Sequence, residues 1–176
     1  MSTQAANAVG TPTIATRGWR IDPARSSVEF HVKGFWGITT VKGRFSRYHG
    51  TVDLSTQQPA IELTIEADSL DTANARRDTH LRSRDFFDAE KHPYVRFVSE
   101  SATLDGERLH TRGRLHARGS SIPLEVDATL RRVGDDLEIE AATEADHRQL
   151  GMTWNRMSMI RTPTKLVVTG RLVRDA

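Results

Sequence analysis

The stretch Ser27–Lys33, with the sequence SVEFHVK, decides the fold. Val28, Phe30 and Val32 fall on one face of an extended chain, and the residues between them are polar or charged. Successive side chains of a β-strand point to opposite faces of the sheet. The alternation therefore predicts a strand that is apolar on one side and solvated on the other.

The same alternation recurs outward from this stretch along most of the chain. Turn signals such as Asp105-Gly106 and Gly134-Asp135 separate the runs and are typical of hairpins. Many short strands at regular spacing predict a sandwich or a barrel. The residues that share one face in these runs are Val41, Gly43, Phe45, Ile61, Leu63, Ile65, Ala67, Ile122, Leu124, Val126, Ala128, Leu130, Leu137, Ile139, Ala141, Leu166, Val168 and Gly170.

Glycines within the strand-like runs favour the barrel. Gly43, Gly113 and Gly170 each lie inside such a run, where glycine weakens a strand and often marks a sharp bend. A sheet that closes on itself needs such bends more than a sandwich does. We therefore expect a mainly β, antiparallel barrel, whose interior is either packed or hollow enough for one ligand.

Residues 68–93 break the alternation. Asp71 or Thr72 can cap a helix, and Ala73–Arg84 contains fair helix formers but little apolar surface. The aromatic pair Phe86-Phe87 follows before strand pattern resumes. This pattern predicts a short helical excursion between central strands, lying as a lid or plug at one end of the barrel.

Arginines gather on the predicted helix with acidic residues between them. Asp78 and Arg82 stand four residues apart in the order that favours an ion pair. The chain as a whole is nearly balanced, with 25 basic and 23 acidic residues. We expect a solvated, ion-paired face and no nucleic-acid partner. The group comprises Arg76, Arg77, Arg82 and Arg84 with Asp78, Asp85 and Asp88.

Composition sets the remaining bounds. The 176 residues, 37% of them hydrophobic, suit one domain. The chain has no cysteine, which excludes disulfides, thiolate metal sites and cysteine nucleophiles. No apolar run approaches the roughly 20 residues of a membrane-spanning helix. Residues 1–17 are rich in Ala, Thr and Ser without a signal-peptide pattern, so we expect a flexible lead-in and a cytoplasmic protein.

Ordered motifs across the chain resemble those of one known family. The motifs are WRIDP (19–23), SVEF (27–30), VKGRF (41–45), YHG (48–50), SLDT (69–72), RDTHL (77–81), DFFD (85–88), HPYVRFVS (92–99) and GRLHARG (113–119) with Pro123. In their order and spacing, over about Trp19 to Val173, the chain resembles the YceI-like, polyisoprenoid-binding proteins.

The resemblance implies a single lipocalin-like extended β-barrel over residues 18–174, around an elongated apolar cavity. It implies a long lipid ligand, such as an isoprenoid quinone, a polyprenyl chain or a fatty-acyl compound, with no other cofactor required. Many relatives are periplasmic, and relatives often form homodimers. The family usually carries Arg-x-Asp-Phe-Gly where this chain has HRQLG at 147–151. That departure puts in doubt which lipid and which head group fit.

Three groups of residues are candidates for ligand contact. The loop formed by Phe35, Trp36 and Ile38 is apolar, and we expect it at the barrel mouth or in transient membrane contact. Arg77, His80, Arg84 and His147 are candidates for head-group contacts. The predicted cavity residues are Val28, Phe30, Val32, Val41, Phe45, Leu63, Ile65, Leu81, Phe86, Phe87, Phe97, Leu115, Met152 and Trp154.

The leading hypothesis is a protein that binds, stores or carries a long apolar lipid and is not an enzyme. One alternative is an enzyme acting on an apolar substrate, for which His147 beside Asp146 is the best candidate. Another is a protein-interaction module with a packed barrel, which would use the loop Phe35–Ile38. The seven histidines are scattered and do not predict a metal site.

Overall fold

The computed structural model describes residues 18–34, 37–155 and 160–175. The predicted lead-in, residues 1–17, lies outside this part of the chain. Strands dominate the described residues, and one α-helix, α1, covers Ala75–Arg82. The strands are β1 (Trp19–Ile21), β2 (Ser27–Gly34), β3 (Thr39–Phe45), β4 (Tyr48–Asp53), β5 (Ala60–Glu66), β6 (Leu70–Asp71), β7 (Tyr94–Asp105), β8 (Arg108–Ala117), β9 (Ser120–Val133), β10 (Asp136–Ala145) and β11 (Thr164–Arg174).

Eight strands close into an antiparallel barrel in the order β1-β4-β5-β7-β8-β9-β10-β11, and β11 returns to β1. One edge of β11 serves two partners, because Leu172–Arg174 pair with β1 whereas Lys165–Thr169 pair with β2. Strands β2, β3 and β6 thereby extend the barrel wall beyond the closed ring. The predicted fold class, an extended antiparallel barrel with a helical excursion, is confirmed.

Tight turns hold neighbouring strands in register. The two-residue loops Arg118-Gly119 and Gly134-Asp135 join β8 to β9 and β9 to β10. Arg118 and Gly119 have φ values of 52° and 71°, the left-handed backbone that matches the twist of a hairpin. The hairpin predicted at Gly134-Asp135 is confirmed.

Two strand glycines lie where a neighbouring group leaves no room for a Cβ atom. A Cβ at Gly43 would lie 2.2 Å from the ring of Phe30, its cross-strand partner. A Cβ at Gly113 would lie 2.3 Å from the carbonyl oxygen of Val98, beside the register shift between Ser99 and Ser101. A bulge bends and twists its strand, so Gly113 belongs to the curvature of the wall.

The helix begins later and ends earlier than the predicted Ala73–Arg84. Asn74, and not Asp71 or Thr72, is the N-cap, since its side chain accepts a hydrogen bond from the amide of Arg77. Ala73 has a left-handed φ of 59°, which separates it from the helix. The helix thus covers only Ala75–Arg82.

The predicted ion-paired arginine face is wrong. Among the described residues Arg76, Arg77, Arg82 and Arg84 make no ion pair. Arg82 instead donates to the carbonyl oxygens of Asp68 and Leu70, at 2.9 and 2.6 Å. A guanidinium carries five N–H donors on a long side chain, so it can reach backbone carbonyl oxygens as well as carboxylates.

A tightly packed group of buried side chains sits at the end of the barrel where β1 meets β11. Trp19, Leu130, Leu137 and Leu172 are buried there almost completely. The helix α1 and residues 147–152 lie at the other end, beyond the starts of β7 and β11. A packed base at one end leaves the interior toward α1 available for a site.

Candidate ligand cavity

The barrel is hollow. A cavity of about 820 Å³ occupies its interior, within the range of about 300–1,000 Å³ that is typical of small-molecule sites. The wall is overwhelmingly apolar, with side chains from both the closed ring and the β2–β3 extension. This answers the question that alternation alone left open, and it argues against the packed-barrel alternative.

All fourteen side chains predicted for the cavity lie on its wall, although their contact with a ligand stays a prediction. They come from β2, β3, β5, β7 and β8, from α1 and the segment after it, and from residues 152–154. The residues are Val28, Phe30, Val32, Val41, Phe45, Leu63, Ile65, Leu81, Phe86, Phe87, Phe97, Leu115, Met152 and Trp154.

Sequence reasoning missed most of the opposite wall. The alternating runs of β9, β10 and β11 supply Leu124, Val126, Ala128, Ile139, Ala141, Leu166 and Val168 to the cavity. Their strand phase was visible in the sequence and could have placed them inward with the others. Thr111 and Thr164, two buried polar residues that also line the cavity, share the strand phase of Leu115 and Leu166, but their polar side chains set them apart from the apolar pattern.

Two aromatic clusters shape the cavity. Phe30, Phe45 and Phe87 pack with ring centroids 5.5 to 6.3 Å apart. Phe86 and Trp154 form the second cluster around His80, whose ring centroid lies 4.4 Å from that of Trp154. Tilted and edge-on packing at these distances is favourable, so both clusters give the cavity a firm, irregular apolar surface.

His80 and Arg77 face the cavity but are already engaged. The Nε2 of His80 lies 2.8 Å from the carboxylate of Asp85. Arg77 donates to the hydroxyl and to the carbonyl oxygen of Thr72, both at 2.8 Å. Arg84, in contrast, is exposed and does not line the cavity.

The predicted mouth loop is only partly described. Ile38 is 84% exposed and does not line the cavity, although its neighbour Thr39 does. Phe35 and Trp36 lie outside the described residues. The proposed contact of this loop with a membrane therefore stays a prediction.

A buried carboxylate anchors α1 over the cavity. Asp78 accepts hydrogen bonds from the amide and the hydroxyl of Thr72, at 2.9 and 2.5 Å. The hydroxyl of Thr72 in turn accepts from Arg77. Thr72 thus forms hydrogen bonds with both Asp78 and Arg77, and this network ties the helix to the chain just before it.

We expect Asp78→Ala to lower the free energy of unfolding by about 2–4 kcal/mol, because two donors of Thr72 lose their acceptor in a buried place. Asp78→Asn retains one acceptor and should cost less. Thr79→Ala, on the exposed side of α1, is the matched control and should change little. Urea denaturation measures all three, and equal losses for Asp78→Ala and Thr79→Ala would contradict this role.

His147 lies on the cavity wall beside Thr164. Its Nδ1 is 2.8 Å from the Thr164 hydroxyl. Burial lowers the pKa of the imidazole below its ordinary value, so the ring is neutral at neutral pH. The adjacent Asp146 is held by Arg148 at 2.9 to 3.0 Å, which lowers the pKa of that carboxyl.

The lowered pKa of His147 predicts a pH-dependent stability. As the pH falls below about 6.5, the unfolded chain binds a proton at this histidine before the folded chain does. The free energy of unfolding therefore falls with pH until the lowered pKa is passed. Denaturation of wild type and His147→Gln at pH 7.5 and 5.5 tests this. We expect the variant to lose less stability on acidification, and identical losses would refute the assignment.

Other classes of site are not found in the described part of the chain. No group of three or more His, Cys, Asp or Glu side chains converges there in a way that could hold a metal ion. In the same residues, no helix has the length and apolar character needed to cross a bilayer.

The comparison with known families decides the identification. The family model for the YceI-like domain matches residues 19–172. The chain belongs to the YceI-like family. The predicted resemblance is thereby confirmed, and the match covers the closed barrel, α1 and the 147–152 segment.

Sequence relatives agree with this assignment. The UPF0312 protein ECA1782 of Pectobacterium atrosepticum is 35% identical over 112 residues, which are 62% of this chain and 58% of that protein. Protein YceI of Escherichia coli O157:H7 is 37% identical over 103 residues, or 57% of this chain and 54% of that protein. The YceI-like chain therefore spans somewhat more than half the length of these relatives.

Solved structures share the fold at lower identity. BcnA of Burkholderia cenocepacia superposes with a TM-score of 0.79 at 18% identity, covering 87% of this chain and 99% of that one. A polyisoprenoid binding domain from Saccharophagus degradans gives a TM-score of 0.69 at 12% identity, covering 90% and 98%. Both comparisons show that this YceI-like barrel is a shared architecture.

Proposed function

We propose that this YceI-like protein binds one long apolar lipid in its barrel and stores or carries it, without acting as an enzyme. The observation that supports this proposal is the apolar cavity of about 820 Å³. Each CH₂ group removed from water contributes about 0.8 kcal/mol. A long hydrocarbon chain can therefore bind tightly through its tail alone.

An isoprenoid chain, as in a quinone tail or a polyprenyl compound, is the ligand class that we favour over a fatty-acyl chain. Branched chains need an irregular wall, and the clusters around Phe30 and Trp154 offer one together with the adaptable side chain of Met152. The structural relative described as a polyisoprenoid binding domain also supports this choice. Membrane contact, a homodimer and a cytoplasmic location remain predictions.

Organic extraction of the purified protein, followed by mass spectrometry, tests the proposal. We expect a long-chain lipid in near-stoichiometric amount. Absence of any such lipid, together with no affinity for polyprenyl or quinone compounds, would overturn the proposal. Recovery of a chemically altered lipid after incubation would favour the enzyme alternative instead.

A further inference from the structure

His147 places an oriented imidazole ring on the cavity wall, and only one of its two ring nitrogens has a hydrogen-bond partner among the described residues. The ring of His147 is fixed through its Nδ1 to the hydroxyl of Thr164, at 2.8 Å, and both residues line the cavity. Within the described part of the chain Nε2 takes no hydrogen bond, and it is not among the buried polar atoms that lack a partner. Among the described residues, this nitrogen therefore has no hydrogen-bond partner, whereas Nδ1 has one.

The surroundings of His147 are apolar on the cavity side. Ala145, Leu150 and Met152 are buried near it along the chain and line the same cavity. The nearby charges are committed elsewhere, since Arg148 holds Asp146. Arg118 donates to the carbonyl oxygens of Gly151 and Arg84. A ligand group beside Nε2 would thus meet a nitrogen that can form a hydrogen bond, but no uncommitted charged side chain.

We propose that Nε2 of His147 hydrogen-bonds an uncharged oxygen of the lipid head group, such as the hydroxyl of a prenyl alcohol or the carbonyl of a quinone. This inference rests on the proposed lipid-binding function and adds the class of head group. The Thr164 hydroxyl can donate or accept, so the ring can present Nε2 as an acceptor to an alcohol or as a donor to a carbonyl.

The absence of charge on the His147 ring favours a neutral over an anionic head group beside Nε2. A phosphate placed beside a neutral imidazole and apolar side chains would lose its hydration without gaining a cation. The lowered pKa of His147 keeps the ring uncharged at neutral pH. Arg76 and Arg77 also line the cavity, but Arg77 is engaged by the hydroxyl and the carbonyl oxygen of Thr72.

Competition binding at pH 7.5 with three matched probes tests the proposal. The probes are geranylgeraniol, the hydrocarbon that lacks its hydroxyl group, and geranylgeranyl phosphate, each displacing a fluorescent apolar dye from the full chain. We expect the wild type to prefer the alcohol over the hydrocarbon by about 2- to 10-fold, the range that one net hydrogen bond provides.

Substitutions of His147 test whether this residue causes the preference for the alcohol. His147→Phe should bring the ratio of alcohol to hydrocarbon affinity close to one, and His147→Gln, which places a polar group near the Nε2 position, should restore part of it. His110→Phe is the matched control, because His110 pairs with Asp127 on the outer face and should leave the ratio unchanged.

The outcomes separate this inference from the proposed function. An unchanged ratio in His147→Phe, or a wild type that prefers the phosphate over the alcohol, would overturn the head-group assignment and leave lipid binding intact. Failure of both the alcohol and the hydrocarbon to displace the dye would instead overturn lipid binding itself. If His147→Phe does not fold, Thr164→Val replaces it. Loss of the preference for the alcohol, with unchanged affinity for the hydrocarbon, then supports the inference. Retention of that preference opposes it.

Discussion

Replacement of Ala128 by tryptophan should weaken the binding of a long isoprenoid lipid by about 200-fold. Ala128 and its cross-strand partner Ala141 both line the cavity, on β9 and β10. An indole at this position fills space that a lipid tail would occupy. Displacing about four CH₂ groups at about 0.8 kcal/mol each costs about 3 kcal/mol, which corresponds to that change in Kd.

Thr129→Trp is the matched control for this prediction. Thr129 is the next residue of β9 and does not line the cavity, so the same large ring should project from the outer face. Displacement of a fluorescent lipid analogue measures both variants, with circular dichroism as the check on folding. Equal affinities for Ala128→Trp and wild type would mean that the lipid does not occupy the barrel interior.

Much of the fold could be predicted because strand alternation is a local property. The residue types of the run Ser27–Lys33 and of the loop Gly134-Asp135 are enough to indicate a strand and a hairpin turn. Period-two burial and a left-handed turn residue need few distant partners. The same alternation placed one half of the cavity wall correctly. It left the interior undecided, because inward apolar residues look alike in a packed and in a hollow barrel.

The polar features could not be predicted because they depend on long-range partners. Nothing next to Arg82 in the sequence indicates that it would bind the carbonyl oxygens of Asp68 and Leu70. Thr164 likewise becomes the partner of His147 only when β10 and β11 pair. Side-chain contacts to backbone groups follow from the path of the chain, which spacing along one helix does not reveal.

Gly113→Ala should destabilise the barrel more than a strand glycine substitution whose new Cβ would meet only a side chain. Its Cβ would lie 2.3 Å from the backbone carbonyl oxygen of Val98, and a ladder beside a bulge cannot move that atom without breaking pairing. Overpacking in cores costs about 1–3 kcal/mol and more where the backbone must shift. We expect a loss of about 3 kcal/mol.

Gly43→Ala provides the contrast. Its Cβ would meet the far end of the Phe30 ring at 2.2 Å, and this side chain can turn into the cavity at a cost of about 1–2 kcal/mol. The free energy of unfolding in urea ranks the two variants, with Gly18→Ala as the control because its nearest neighbour is 4.0 Å away. A larger loss for Gly43→Ala would show that Phe30 is fixed as rigidly as the backbone. In that case the aromatic cluster, and not the bulge, would limit how the wall of the cavity adapts to a ligand.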